Sequence, residues 1–246
     1  MMESDSILEL RDIHKTYDSV TALNSISFHL KKGDIMGLVG DNGAGKSTLL
    51  KILNGYISPD SGKIGLDGVI LQMRSPSEAR DAGISMTYQH PAIVPNGYVW
   101  ENFFLGREQA QALGPIRKLD KAGMIAETKK KLHRYDVTSI DPNAHVHDLD
   151  GGEKQILAIT RSIESNPKLL LLDEPMTEIA VTAKDNVTRF VRKLNEETGT
   201  SIIIVSHDLE ILKNLVDKLL ILANGAVVYD GNPDDLEVTD IVEYML

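Results

Sequence analysis

Eight consecutive residues constrain this chain more than any other feature. Gly40-Asp41-Asn42-Gly43-Ala44-Gly45-Lys46-Ser47 fits the pattern G-x-x-x-x-G-K-S. The apolar run Ile35-Met36-Gly37-Leu38-Val39 precedes it and reads as a buried strand, and a helix from about Lys46 to Asn54, stopped by Gly55, follows it. In that context the glycines let backbone N–H groups converge on a phosphate, and the helix N-terminus adds positive potential at the same point. Lys46 is placed to reach the β- and γ-phosphates of a nucleotide, and the Ser47 hydroxyl to ligate Mg²⁺. A strand-to-helix turn that binds nothing is the alternative, and the full motif in this setting argues against it.

The rest of the chain supplies a matching scaffold. Ile26, Phe28 and Leu30 alternate with polar residues as a half-buried strand does, and Asp67-Gly68 and Asn224-Gly225 mark two hairpins. Leu169 to Leu172 and Ile202 to Val205 read as buried parallel strands. Between them Ala183, Val187, Phe190, Val191 and Leu194 line one face of a helix that Gly199 ends. From about Pro91 to Asn166 the strand signals disappear. There Met124, Ile125, Thr128, Leu132 and Tyr135 recur at helical spacing, so this segment reads as a mainly helical insert. Strands alternating with helices predict an α/β fold built on a mainly parallel sheet covered on both sides.

A second motif completes the first. Leu169-Leu170-Leu171-Leu172-Asp173-Glu174 is an apolar strand ending in two carboxylates. Asp173 then falls at the C-terminal edge of the sheet, beside the phosphate loop, where it can hold Mg²⁺ through water. Glu174 follows, placed to orient an attacking water as general base. Composition removes other chemistries. The chain has no cysteine, which excludes disulfides, thiolate zinc and cysteine nucleophiles. Its formal net charge of −10 argues against sequence-independent binding to nucleic acid or anionic lipid. Met1 to Asp5 lack the pattern of a signal peptide, and the apolar runs fall short of the roughly 20 residues that cross a bilayer. The expectation is a soluble cytoplasmic protein without membrane insertion.

With both motifs in place, the chain resembles the ATP-binding subunits of ABC transporters over nearly its whole length. The resemblance implies a P-loop NTPase (RecA-like) core of mainly parallel sheet, with an antiparallel β subdomain and a helical insert. It implies one nucleotide-binding domain over residues 1–246, with a catalytic core of about 1–90 and 167–246 and a helical subdomain of about 91–166. Gln89 resembles the family's glutamine loop, a catalytic and metal-binding residue, and His207 its switch histidine, a catalytic residue that contacts the γ-phosphate. Tyr17 resembles the aromatic that stacks on adenine. Gly40 to Ser47 and Thr48 form the phosphate contact of ATP, and Ser47, Gln89 and Asp173 the Mg²⁺ contact. Asp150, Gly151 and Gly152 occupy the signature that meets the nucleotide of a second ATPase chain. Asp60 to Ile64, Arg74 to Ile84 and Glu101 to Glu108 look most like importers of monosaccharides such as ribose, xylose or fructose. The implied partners are that second chain, identical or related, and integral-membrane permease subunits on the inner face of the cell membrane. Their contact is expected near Gln89 and Tyr98-Val99-Trp100-Glu101.

Two departures bear on activity. The signature reads Leu149-Asp150-Gly151-Gly152-Glu153, where the family has serine and glutamine. Asp150 and Glu153 can form a capping box, which keeps the helix start intact. A carboxylate about 5 Å from a γ-phosphate at an effective dielectric of ~20 nevertheless costs on the order of 3 kcal/mol per unit charge. A neutral hydroxyl hydrogen bond there contributes only about 1 kcal/mol. Ala180 also stands where many relatives carry a dimer-contacting aspartate. Two readings follow: an ATPase that energises uptake, or an ATP-sensing subunit of a heterodimer with little turnover. A GTPase or small-molecule kinase fits poorly, because no N-K-x-D motif is present and Glu174 points to water as nucleophile.

Overall fold

Leu169, Leu170, Leu171 and Leu172 are all fully buried, yet they serve two different cores. In the computed structural model, which describes residues 5–113 and 116–245, the strand they form runs through the middle of a sheet. Side chains alternate across a strand, so Leu169 and Leu171 face one apolar cluster and Leu170 and Leu172 the other. Ile202 and Ile204 part from Ile203 and Val205 in the same way, as do Ile35 and Val39 from Met36 and Leu38. Each fully buried aliphatic side chain contributes roughly 1.5–3 kcal/mol over an exposed one. The continuous apolar runs are therefore what hold the sheet in the centre.

The chain opens with β1 (Ser6–Tyr17), β2 (Val20–Lys31) and β3 (Ile35–Gly40), followed by α1 (Lys46–Leu53). The hairpin β4 (Ser61–Leu66) and β5 (Val69–Leu71) turns at Asp67-Gly68, as the sequence predicts. Next come α2 (Pro76–Ala82) and β6 (Ile84–Thr87), then α3 (Val99–Phe104). A second hairpin, β7 (Ala110–Leu113) with β8 (Ile116–Leu119), leads to α4 (Lys121–Arg134) and α5 (Gly151–Ser162). The C-terminal part is β9 (Leu169–Asp173), α6 (Val181–Thr198), β10 (Ser201–Val205), α7 (Leu209–Leu215), β11 (Lys218–Ala223), β12 (Ala226–Gly231) and α8 (Val238–Met245).

Strands β12-β11-β3-β10-β9-β6 make the central sheet, parallel except for β12, which folds back at Asn224-Gly225. Strands β2-β1-β4-β5 form a separate antiparallel sheet. The antiparallel sheet and α1 cover one face of the parallel sheet through Leu8, Ile26 and Leu49. α3, α4, α5 and α6 pack with the other face through Phe103, Met124, Ile156 and Phe190. The fold class expected from the sequence is thus the observed one.

The segment from Pro91 to Asn166 departs from its reading in one place. It holds α3, α4 and α5 as expected, but also the hairpin β7–β8, with Ala110 opposite Leu119. Strand periodicity over four residues is too short to register, and the one local signal was the Gly114-Pro115 dipeptide. On α4 the predicted face is right: Met124, Thr128, Leu132 and Tyr135 are buried, and Asp120 caps the helix by accepting from the Gly123 amide at 3.0 Å.

Candidate active site

Four parallel strands of the central sheet end together, and their ends assemble the site. The register sets Val205 beside both Leu38 and Asp173, and Thr87 beside Leu172. The segments leaving this edge therefore start side by side. They are the loop after β3, His207 after β10, the carboxylates at the end of β9, and Gln89 after β6. Ligands of parallel α/β sheets bind in the crevice outside this edge. β10 lies between β3 and β9, so Asp173 stands one strand away from the phosphate loop rather than directly beside it. His207 emerges in between.

The loop has the shape its glycines predict. Gly45 has φ +105°, and a Cβ there would lie 2.7 Å from the Ala22 carbonyl oxygen of β2, so only glycine fits. The Ala44 amide donates to Asp41 O at 3.1 Å, and the Asn42 amide to the Asp41 carboxylate at 2.7 Å. Gly43, Ser47 and Thr48 lie along the same turn and the first residues of α1, with Ser47 exposed. The Lys46 ammonium donates to Gly40 O at 2.6 Å and Asp41 O at 3.0 Å. Burial pushes its pKa down, while the carboxylates of Glu174, Asp41 and Asp173 pull it back up. A buried cation held over a glycine-rich loop at a helix N-terminus suits a polyphosphate.

Opposite it sit the two acids. Burial, then the neighbouring charge of Glu174, raises the pKa of Asp173, and Lys46 and Lys51 oppose that rise. Two carboxylates crowded this way favour a cation between them and the phosphates. The donor set fits Mg²⁺, which takes one or two carboxylates and keeps several waters. Ser47 supplies a hydroxyl, Asp173 a carboxylate and Gln89 an amide, and the ion's part would be to neutralise phosphate charge. Among the described residues no cluster of three or more His, Cys, Asp or Glu could hold a metal unaided.

Glu174 is held on every side. Its φ is +48°, a conformation side-chain-bearing residues rarely adopt, and its amide donates to Val205 O at 3.0 Å. His207 Nε2 lies 2.9 Å from Oε1, and the Thr177 hydroxyl donates to Oε2 at 2.9 Å. Sequence reading singled out Glu174 and His207 but not their direct contact, and it passed over Thr177 altogether. Gln89 is half-buried, and its carbonyl accepts from the Gln155 side chain of α5 at 3.1 Å. Gln155 therefore ties the end of β6 to the helix that begins at Asp150.

The capping box at that helix is present. Asp150 Oδ1 accepts from the Glu153 amide at 2.8 Å, and Glu153 Oε2 accepts from the Asp150 amide at 3.2 Å. Gly151 packs so closely on Ile179 that a Cβ would come within 2.7 Å of Cγ2, and Gly152 is as close to Ala183. Asp150 and Gly152 line a groove of about 540 Å³ with Asn186, Arg189 and Lys193 of α6. No residue of the phosphate loop borders this groove, so the chain does not bring its own signature to its own loop. Tyr17 ends β1 opposite Val20, is 43% exposed, and has the Lys15 ammonium 5.6 Å from its ring centre. Its hairpin partner β2 is the strand that abuts Gly45. Trp100, in the segment where the permease contact is expected, is only 3% exposed and packed in the core of the helical segment. Exposed apolar residues lining the same cavity as Trp100 are Val94, Leu105 and Leu119.

A phosphate loop, a strand-end Asp-Glu pair and a histidine just beyond the strand between them define a nucleoside triphosphatase of the P-loop kind. The sequence profile of the ABC transporter family matches residues 23–177. The chain belongs to that family. It is 34% identical over 239 residues to the xylose/arabinose import ATP-binding protein of Sulfolobus acidocaldarius, covering 97% of this chain and 93% of that one. It is 36% identical to the ribose import ATP-binding protein of Hahella chejuensis over 98% of this chain, and it spans only 47% of that longer relative. Among solved structures, an ATP-binding cassette of an ABC transporter in its ADP conformation superposes with a TM-score of 0.82 at 25% identity. That match covers 97% of this chain and 98% of the other. Among the described residues no helix is long and apolar enough to cross a membrane.

Proposed function

We propose that the chain is the ATP-binding and ATP-hydrolysing subunit of an importer, supplying energy for uptake of a monosaccharide through membrane permease subunits. Glu174 carries the hydrolytic part of this reading. It is a carboxylate fixed from two sides, one residue beyond a metal-suited aspartate and within the electrostatic reach of the phosphate-loop lysine. Lys46 and the loop amides bind the β- and γ-phosphates of ATP, Tyr17 takes the adenine, and Ser47, Asp173 and Gln89 hold Mg²⁺. Glu174 accepts a proton from the attacking water, and His207 stands ready to contact the γ-phosphate. The import of a sugar rests on the relatives' activities rather than on any residue here, since the solute is bound by other polypeptides.

The separation of the signature groove from the loop supports work in pairs, with residues 1–246 acting as one nucleotide-binding domain and Asp150-Gly151-Gly152 facing the nucleotide of a second ATPase chain. Val94 and Leu105, exposed beyond Gln89, suit the permease contact and place the chain peripherally at the inner face of the membrane. A second reading, an ATP-sensing subunit with little turnover in a heterodimer, draws on the paired acids Asp150 and Glu153. Hydrolysis by the purified chain, alone and with its permease, separates the two. Glu174→Gln keeps the shape and loses the proton acceptor, so ATP binding should persist while turnover falls by about 10² or more. Turnover at the wild-type rate would remove Glu174 from the role of base.

A further inference from the structure

The short segment after Glu174 does more than connect a strand to a helix. Residues 174–177 close a tight turn in which the Thr177 amide donates to Glu174 O at 3.2 Å. The Thr177 hydroxyl then reaches back to Glu174 Oε2 at 2.9 Å. One residue thus pins both the backbone and the carboxylate of the left-handed Glu174. The turn is itself anchored at both ends. The Glu174 amide is bonded to Val205 O, and Ile179 packs against Gly151 at the start of α5. In the middle, Met176 is 2% exposed, and its sulfur lies 3.4 Å from the Thr188 hydroxyl of α6, which donates to Lys184 O at 2.9 Å. Thr177 therefore sits on a turn bonded at Glu174 and packed at Met176 and Ile179, with its hydroxyl directed at Glu174 Oε2.

We propose that Thr177 is a positioning residue for hydrolysis, orienting the Glu174 carboxylate through its hydroxyl. A carboxylate can rotate about its last side-chain bond, and a base gains from being held in one orientation. His207 restrains Oε1 and Thr177 restrains Oε2, and either bond limits rotation of the carboxylate. Thr177 is the more constant of the two restraints. It lies three residues away in the same turn, whereas His207 comes from another strand, is 47% exposed, and is the group proposed to turn to the γ-phosphate. When His207 does so, the Thr177 hydroxyl is the remaining side-chain bond that keeps Glu174 aimed.

This proposal rests on Glu174 as the base, and the experiment tests the two separately. Thr177→Val keeps size and branching and removes the hydroxyl, and Thr177→Ser keeps the hydroxyl and removes the methyl. ATP turnover and ATP affinity are measured for the wild type, both variants, Glu174→Gln and the double variant Glu174→Gln/Thr177→Val. The expected result is a kcat about tenfold lower in the valine variant, the usual worth of a hydrogen bond to a charged group, with ATP affinity unchanged. The serine variant should stay within about twofold of wild type, and the valine should add little to Glu174→Gln, because the hydroxyl acts through that carboxylate. Wild-type kcat in the valine variant overturns the proposal. Equal loss in serine and valine also overturns it, because packing rather than the hydroxyl is then responsible, as does a loss that follows ATP affinity or melting temperature. If Glu174→Gln hydrolyses ATP normally, or the wild type shows no turnover, the hydrolytic reading falls, and the proposal with it.

Discussion

Removing the charge of Asp150 is the perturbation that best probes how this chain pairs with another. Asp150 is exposed at the N-cap of α5, one oxygen accepting the Glu153 amide at 2.8 Å. Asparagine can accept that same bond, and it caps helices as well as aspartate, so the stability of α5 should change by only a few tenths of a kcal/mol. What changes is the field in front of the helix. At about 5 Å from a phosphate oxygen and an effective dielectric of ~20, the carboxylate is repelled by about 3 kcal/mol per unit charge. Solvent around an exposed group screens this to about half, ~1.5 kcal/mol, or roughly tenfold in association for each site relieved. Sedimentation velocity with Mg·ATP, in a Glu174→Gln background that holds the nucleotide unhydrolysed, reads the dimerisation constant directly. Relieving both sites of a dimer, Asp150→Asn should tighten it by about a hundredfold. Asp150→Ser separates charge from hydroxyl chemistry: equal rescue by both assigns the effect to repulsion, and rescue by serine alone assigns it to the missing hydroxyl. If neither variant alters dimerisation or turnover, Asp150 does not face a phosphate, and the electrostatic reasoning is wrong.

The remaining expectations concern nucleotide binding and stability. Lys46→Ala should abolish tight Mg·ATP binding, measured by calorimetry, because the Lys46 ammonium is the cation that the loop carbonyls of Gly40 and Asp41 hold in place. Unchanged affinity would take the loop out of the mechanism. Asp67 accepts bonds from Lys168 and Lys32, which lower its pKa from 3.8 to about 2. A depressed carboxylate stabilises the fold above its unfolded pKa and loses that contribution as pH falls through its folded one. The difference in melting temperature between wild type and Asp67→Asn should thus be constant near neutrality and shrink between about pH 4 and pH 2. A difference that persists unchanged at the acid end would show that the lysine pair is not its source.

Much of the site was legible from residues alone because it is local. The phosphate loop needs only a strand, a run of glycines and a helix start, all contiguous from Ile35 to Leu53. The acid pair needs only an apolar strand that ends, and the capping box of α5 needs a side chain at each of two positions three residues apart. Periodicity likewise specified β3, β9 and β10, since runs buried on both faces leave no other place than the centre of a sheet. These features are determined by neighbours in the sequence and need no long-range contact.

Tertiary structure decided what lies next to what. Strand order is a non-local property, and it is the placement of β10 between β3 and β9 that sets His207 between the loop and the acids. Side-chain direction decided the contact of His207 and Thr177 with Glu174, which depends on a left-handed turn that no pattern in Glu174-Pro175-Met176-Thr177 announces. Packing also put Trp100 in the core, in one cluster with Phe103, Met124 and Ile156. Sequence determined which chemistry the chain carries, since that chemistry is written in residue types at short spacing. Only the fold determined how the carboxylate, the histidine and the lysine meet, because their approach depends on strand order and packing between residues far apart in the chain.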